Sequence, residues 1–388
     1  MKHKKWFWLL ALLVVLGGLL VACGDLEEDE YYDEDEAAYY EDEEFSSEDE
    51  EFFSEDEEAY DEDEEGFYSE DEEWDKWEVM TAEDCYDDEY YDEEDQTCYL
   101  LYDCDEDPDS CEELDDEFYT LAGELIDIFL SEDYEWVEGS PDEVIIRYAI
   151  RNNELIDPEL GAVTDELVEY QNDSQTHEQL WVYFANLIPA DERRFISHFG
   201  FFTDGQGEVL AYVEPNIDNP NQWVMYVDIQ DAQDTEELTY TLIHEYAHIL
   251  SLNSTQVPFD AEAYYDENLY EEAESSCPTY FTGEGCSRPN SYINAFFETF
   301  WADIYEESLE YGDDVESFYE EYEDQFVTDY AATNPAEDIA ESFTFFVMQS
   351  KPEGDTIAEE KILFFYDYPE LLQLRAEIAG RAYARLRR

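Results

Sequence analysis

The chain has 388 residues, and 110 aspartates and glutamates against 16 lysines and arginines give it a formal net charge of −94. A field of that sign repels nucleic acid and anionic lipid headgroups, so neither is a partner held by surface charge, whereas metal cations and basic partners are attracted. The charge is uneven: residues 24–117 hold 51 acidic residues against Lys76 alone, and residues 118–388 hold 59 against 12 basic ones.

The N-terminus sets the compartment. Lys2, Lys4 and Lys5 precede an uncharged apolar run of 17 residues, 6–22. A run this short, ending in small residues, reads as a signal peptide rather than a membrane span. Its end, Leu20-Val21-Ala22-Cys23, resembles the lipobox of bacterial lipoproteins. That resemblance implies cleavage before Cys23, a lipid on its thiol, and an extracytoplasmic, membrane-anchored protein. A plain signal peptide with an incidental cysteine, or an uncleaved anchor, is the alternative. No later stretch is long and apolar enough to span a bilayer.

Residues 23–80 are low in complexity. Glu-Asp-Glu-Glu recurs from Glu41, Glu48, Glu55, Glu62 and Glu70, with aromatic residues between the copies. A coiled coil needs two apolar positions per heptad, and here there is roughly one. Repulsion among the carboxylates opposes compaction. The segment reads as a disordered, extended acidic tether; the rival is a sticky acidic-aromatic segment that binds a partner.

Residues 81–117 stay acidic and carry Cys85, Cys98, Cys104 and Cys111. With Cys277 and Cys286 they make six cysteines besides Cys23, an even number that in an exported chain favours disulfides. Cys277 and Cys286 are expected to close a small loop, and the other four to pair among themselves in one of three ways. The run 103–109 alternates carboxylates as calcium loops do, without the turn glycine or well-placed final glutamate of an EF-hand. Ca2+ binding there competes with a solvated acidic loop stapled by disulfides.

Residues 118–388 read as a folded domain. Residues 120–130 and 179–187 have helical period, and 144–150 is strand or helix. Two short strands, 198–203 and 208–213, flank Asp204-Gly205-Gln206-Gly207, which reads as a hairpin turn. Residues 223–229 are almost continuously apolar, as a buried strand is. Helical patterns follow at 234–251, 290–310, 313–326, 335–350 and 368–386. Strands first and helices later argue for an α+β fold. His177 and His198 have no motif around them and read as structural. Arg375, Arg381, Arg385, Arg387 and Arg388 crowd the last fourteen residues, either complementing a helix dipole or docking the acidic tether.

The chemistry gathers in Thr-Leu-Ile-His-Glu-Tyr-Ala-His-Ile-Leu, residues 241–250. On a helix, residues i and i+4 share a face, so His244 and His248 can hold one Zn2+ at about 2.0–2.1 Å each. Glu245 then lies beside the metal, where it can take a proton from the attacking water and pass it to the leaving amine. Asp234 with Glu237 reads as an N-cap and its capping-box partner. A third ligand is needed. Tyr-Ala-Ala-Thr-Asn-Pro-Ala-Glu-Asp-Ile-Ala-Glu-Ser-Phe, residues 330–343, offers one. Asn334 suits a helix cap, Pro335 a first turn, and Glu337 and Glu341 lie one turn apart. One can bind the metal while the other accepts the N–H of a ligand histidine; spacing alone does not say which.

This two-piece pattern resembles the gluzincin metallopeptidases, and residues 330–343 are similar to the third-ligand region of the catalytic domain of anthrax lethal factor. The resemblance implies a zincin-like domain over 118–388, with Glu337 as the third zinc ligand and Glu341 behind a ligand histidine. It implies that Tyr330 is the hydroxyl that stabilises the oxyanion or assists the leaving group. It covers these two segments only, and it departs from the family in two respects. The 88 residues between His248 and Glu337 exceed the toxin's spacing, and Pro335 replaces a helix former. In zincins an edge strand beside the metal pairs with extended substrate, a part open to 208–213 or 223–229. The expectation is a monomeric zinc metalloendopeptidase acting on peptide or protein substrate at the cell surface. Its rivals are a non-catalytic acidic surface lipoprotein that binds cations or a protein partner, and a zinc hydrolase of a non-peptide amide such as a cell-wall bond.

Overall fold

The computed structural model describes residues 81–387, less 94, 103, 105–108, 113, 115, 131–142, 206, 208, 233–234 and 313. The expected signal peptide, Cys23 and the expected tether lie outside the described residues, as do Asp234 and most of the 103–109 run. All described residues belong to one compact unit. The fold is mixed: a small sheet, then helices.

The first described element is a hairpin, β1 (Tyr90–Asp92) with β2 (Thr97–Tyr99). A helix, α1 (Asp116–Phe129), follows. Residues 144–150 are strand, in β3 (Glu143–Arg151), and Asn152-Asn153 turns the chain back into β4 (Glu154–Leu160). Both asparagines have positive φ, 52° and 62°. That is the requirement of the two-residue turn whose twist matches a hairpin. After α2 (Ser174–Leu187), capped where Asp173 accepts from the Thr176 amide, come β5 (Ile196–Thr203), β6 (Ala211–Pro215) and β7 (Trp223–Asp228).

The sheet order is β4-β3-β5-β7-β6, with β5 and β7 parallel and the other pairs antiparallel. The hairpin expected around 204–207 does not form, because β7 lies between β5 and β6. All six residues of β7 are buried. At an edge, a row of its backbone N–H and C=O groups would go unpaired, so an interior place satisfies it better. The connection after β5 is held instead by aspartates: the Asp204 amide donates to Asp228 Oδ2 at 3.0 Å, and the Val209 amide donates to Asp204 Oδ2 at 3.3 Å.

The long helix α3 (Thr235–Leu252) runs between β6 and α4 (Pro335–Met348), which explains why Leu238, Leu242, Ile243 and Ile249 are all buried. The helix expected over 290–310 is broken into Tyr292–Phe296, a π-helical turn Phe297–Trp301, and Tyr305–Tyr311. The wide turn has a use. It delivers the Trp301 indole N–H to Asp338 Oδ2 at 2.6 Å inside the core. Short helices at Ala261–Tyr265 and Glu267–Ser276 were not foreseen, nor was α5 (Ile357–Phe364); the last helix is α6 (Pro369–Leu386).

Three disulfides join Cys85 to Cys98, Cys104 to Cys111 and Cys277 to Cys286. The cysteine-bearing segment lies on α6: the Leu100 amide donates to Gly380 O at 3.2 Å, and a Cβ on Gly380 would stand 2.2 Å from Leu100 O. The terminal arginines dock this segment. Asp95 bridges Arg193 (2.8 Å) and Arg381 (2.9 Å), Arg387 meets Asp88 at 3.0 Å and also pairs with Glu89, and buried Arg375 donates to Cys111 O at 2.8 Å. No described helix is long and apolar enough to cross a membrane.

Candidate metal centre

On α3, His244 and His248 share a face one turn apart, and both are buried. The start of α4 is set by its sequence as expected. Asn334 accepts from the amides of Ala336 (2.8 Å) and Glu337 (3.1 Å), with Pro335 in the first turn. Beside Glu337, Asp338 pairs with Lys361 of α5 at 2.6 Å, both side chains fully buried. This pair ties the first turn of α4, beside Glu337, to α5.

The result is a converging set of three atoms. His244 Nε2 and His248 Nε2 lie 3.0 Å apart, and Glu337 Oε2 lies 3.2 Å from the first and 3.1 Å from the second. Ligands 2.0–2.1 Å from a tetrahedral centre lie about 3.3 Å from one another. Two imidazole nitrogens and a carboxylate oxygen at that spacing could hold a metal cation. The other nitrogen of His244, Nδ1, meets Glu341 Oε1 at 2.7 Å. With the proton on Nδ1, Nε2 keeps its lone pair for the cluster. Glu341 Oε2 accepts from Tyr240 Oη at 2.9 Å and Thr328 Oγ1 at 2.6 Å.

The electrostatics favour positive charge here. Burial lowers the basicity of both imidazoles, but Glu337 reverses this for His248, and Glu337 with Glu341 reverses it for His244, so both end above the ordinary histidine range. Burial alone would raise Glu337; the two imidazoles outweigh it and hold its carboxyl well below the usual carboxylate range. Burial pushes Glu245 up to about 7, while His248, His244 and the backbone of Val213 in β6 pull the other way. A carboxylate poised there can both accept and return a proton near neutrality. Half of Tyr330 is exposed, yet its ring is 5.9 Å from that of His244, and its hydroxyl is raised first by the Glu337 carboxylate.

The structure thus brings together His244, His248, Glu337, Glu341, Glu245 and Tyr330. It also adds residues that sequence reading missed. Tyr240 stands one turn before His244 on the same helix, a signal that was available. Thr328 and Glu284 had none, because only folding brings them in. Glu284 sits in the loop closed by Cys277 and Cys286 and interacts electrostatically with His248 and Glu337. β6 is the edge strand nearest the centre, and β7 is interior.

His177 and His198 are elsewhere. His177 is a buried core residue stacked on Phe201 at 4.4 Å, with Nδ1 against the Tyr148 hydroxyl and Nε2 against Tyr170 O, both at 2.9 Å. His198 is held by Ser197 and Asn216. A separate trio, Asp204, Asp228 and Asp231, converges at the end of β7. There Asp228 Oδ1 accepts from the amides of Gln230 (2.7 Å) and Asp231 (3.3 Å) and so caps the turn. Comparison of the chain with protein-family models, with curated proteins and with solved structures finds no match.

Proposed function

We propose that this protein is a zinc-dependent metallopeptidase with a gluzincin-type centre, carried as a monomer outside the cytoplasmic membrane by a lipid on Cys23. The observation that carries the catalytic reading is the triangle His244 Nε2, His248 Nε2 and Glu337 Oε2, with edges of 3.0, 3.1 and 3.2 Å beside the Glu245 carboxylate. The three disulfides support the extracytoplasmic reading.

His244, His248 and Glu337 would hold the zinc, which when bound supplies Lewis-acid polarisation of water and of the scissile carbonyl. Glu245 receives the proton of the attacking water and returns it to the departing amine nitrogen. A group that must do both works best with a pKa near the working pH, and burial has moved this carboxyl in that direction. The Tyr330 hydroxyl, turned toward the cluster, donates to the oxygen on which negative charge develops. The outer edge of β6 offers backbone groups to an extended peptide laid along it.

The test compares the purified chain with Glu245→Gln. Wild type is expected to bind one zinc per chain and to cleave unstructured polypeptide in a chelator-sensitive manner. Glu245→Gln is expected to keep the metal and lose about 10²–10⁴-fold in rate, the usual worth of a general base. Full activity in the variant, or a wild type without zinc, would sink the reading.

A further inference from the structure

Glu341 does not reach His244 unaided. Its Oε1 takes the His244 contact, and its Oε2 takes two hydroxyls, Tyr240 Oη at 2.9 Å and Thr328 Oγ1 at 2.6 Å. Glu341, Tyr240 and Thr328 are 3%, 4% and 6% exposed, so water cannot replace either hydroxyl without opening the core. The proton directions are forced. The Thr328 oxygen already accepts the Ala331 amide at 3.0 Å, and an amide can only donate, so the hydroxyl hydrogen is left for the carboxylate. The Tyr240 ring also packs edge-on to Phe345, with centroids 6.5 Å apart.

We infer that Tyr240 and Thr328 are positioning residues of the metal centre, locking the Glu341 carboxylate in the one orientation that holds His244 with Nε2 toward the ligand cluster. The inference rests on the metal reading above and deepens it. A glutamate's last torsion is broad, so a carboxylate with a single donor swings easily. Three donors spread over both oxygens remove that freedom, and the freedom of the His244 ring with it. The two hydroxyls come from different places. Tyr240 belongs to the helix that carries both histidines. Thr328 precedes the Tyr330–Thr333 turn and, through the Ala331 amide, ties that turn to the same carboxylate. The metal-holding helix and the segment bearing Tyr330 are therefore joined at Glu341.

The variants that test this keep shape and remove one hydroxyl: Tyr240→Phe and Thr328→Val, with Thr328→Ser restoring the hydroxyl. Each is made in the full chain, and the zinc dissociation constant is measured by competition with a chromophoric chelator. Cobalt-loaded spectra report the ligand field independently. Removing an outer-shell partner of a ligand typically weakens metal binding about 10–100-fold. These hydroxyls act one step further out, so Tyr240→Phe and Thr328→Val are each expected to weaken zinc by about three- to tenfold. Thr328→Ser is expected to recover most of the loss. Mere filling of space would lower the melting temperature and leave the zinc constant alone. Wild-type zinc affinity and an unchanged cobalt spectrum in folded Tyr240→Phe and Thr328→Val would overturn the inference while leaving the metal reading intact. A wild-type chain that binds no zinc would overturn both.

Discussion

Glu337 and Glu341 show what a single residue's sequence position does and does not say. They stand one turn apart on one face of α4, so helical period treats them alike. The family resemblance implies different roles for them, and three-dimensional placement separates them by geometry: Glu337 Oε2 faces both Nε2 atoms, and Glu341 Oε1 faces Nδ1 of His244. Chemistry then predicts unequal damage. If the proposed zinc centre is right, Glu337→Ala removes one of its three ligands and is expected to leave the protein nearly metal-free. Glu341→Ala leaves the three converging atoms of the proposed centre in place and is expected to cost about 10–100-fold in metal affinity. Zinc content by elemental analysis of the two folded variants, after dialysis against buffered zinc, separates the roles; metal lost from Glu341→Ala and kept by Glu337→Ala would reverse them. His244, Glu245 and His248 were legible because a five-residue stretch of one helix fixes their geometry. Thr328 and Glu284 were not, since nothing local marks a residue that matters only once distant segments meet.

At the scale of elements the sequence was read well where period and turn chemistry agreed, and poorly where tertiary packing decided. The apolar run 223–229 reads as buried strand and is one over Trp223–Asp228. The hairpin around 204–207 failed because a local turn signal cannot know that β7 will take the place between its two arms. Conversely, the ambiguity over 144–150 was resolvable in sequence, since the Asn152-Asn153 pair is a two-residue hairpin turn. The terminal arginines carried a sharper message than a helix dipole. Their acidic partners are in the cysteine-bearing segment 88–95, and Asp95 is the centre of the contact. Its side chain is 1% exposed and lies between Arg193 and Arg381, themselves 6% and 7% exposed. Removing one member of a buried ion network leaves desolvated charge behind, at a cost of about 3–5 kcal/mol. Asp95→Ala is therefore expected to lower stability by that order in urea unfolding. Asp88→Ala breaks a contact whose carboxylate is 57% exposed and is expected to cost about 1 kcal/mol or less. Equal effects would mean that the hairpin is merely tethered to α6 rather than built into it.

The whole molecule is shaped by charge. Residues 24–80 hold 32 acidic residues against one basic, while residues 81–388 hold 78 against 12. The described part satisfies its own structural needs: its core is built from its own strands and helices, its three disulfides close within it, and its arginines find partners inside it. A polyanionic segment brought near such a body, whose own net charge is strongly negative, mainly adds repulsion, which stretches over about 8 Å at physiological ionic strength and about 30 Å at 0.01 M. A chain beginning at Thr81 is therefore expected to melt at nearly the same temperature as one beginning at Cys23 in 0.15 M salt, and at the same or a higher temperature in 0.01 M. Both chains are expected to gain stability as salt is added, since each is strongly negative. Calorimetry of the two chains across that salt range is the measurement. A fall of more than about 5 °C on truncation, beyond the roughly 2–4 °C that 1 kcal/mol moves a domain of 150–250 residues, would mean that the acidic repeats are part of the fold.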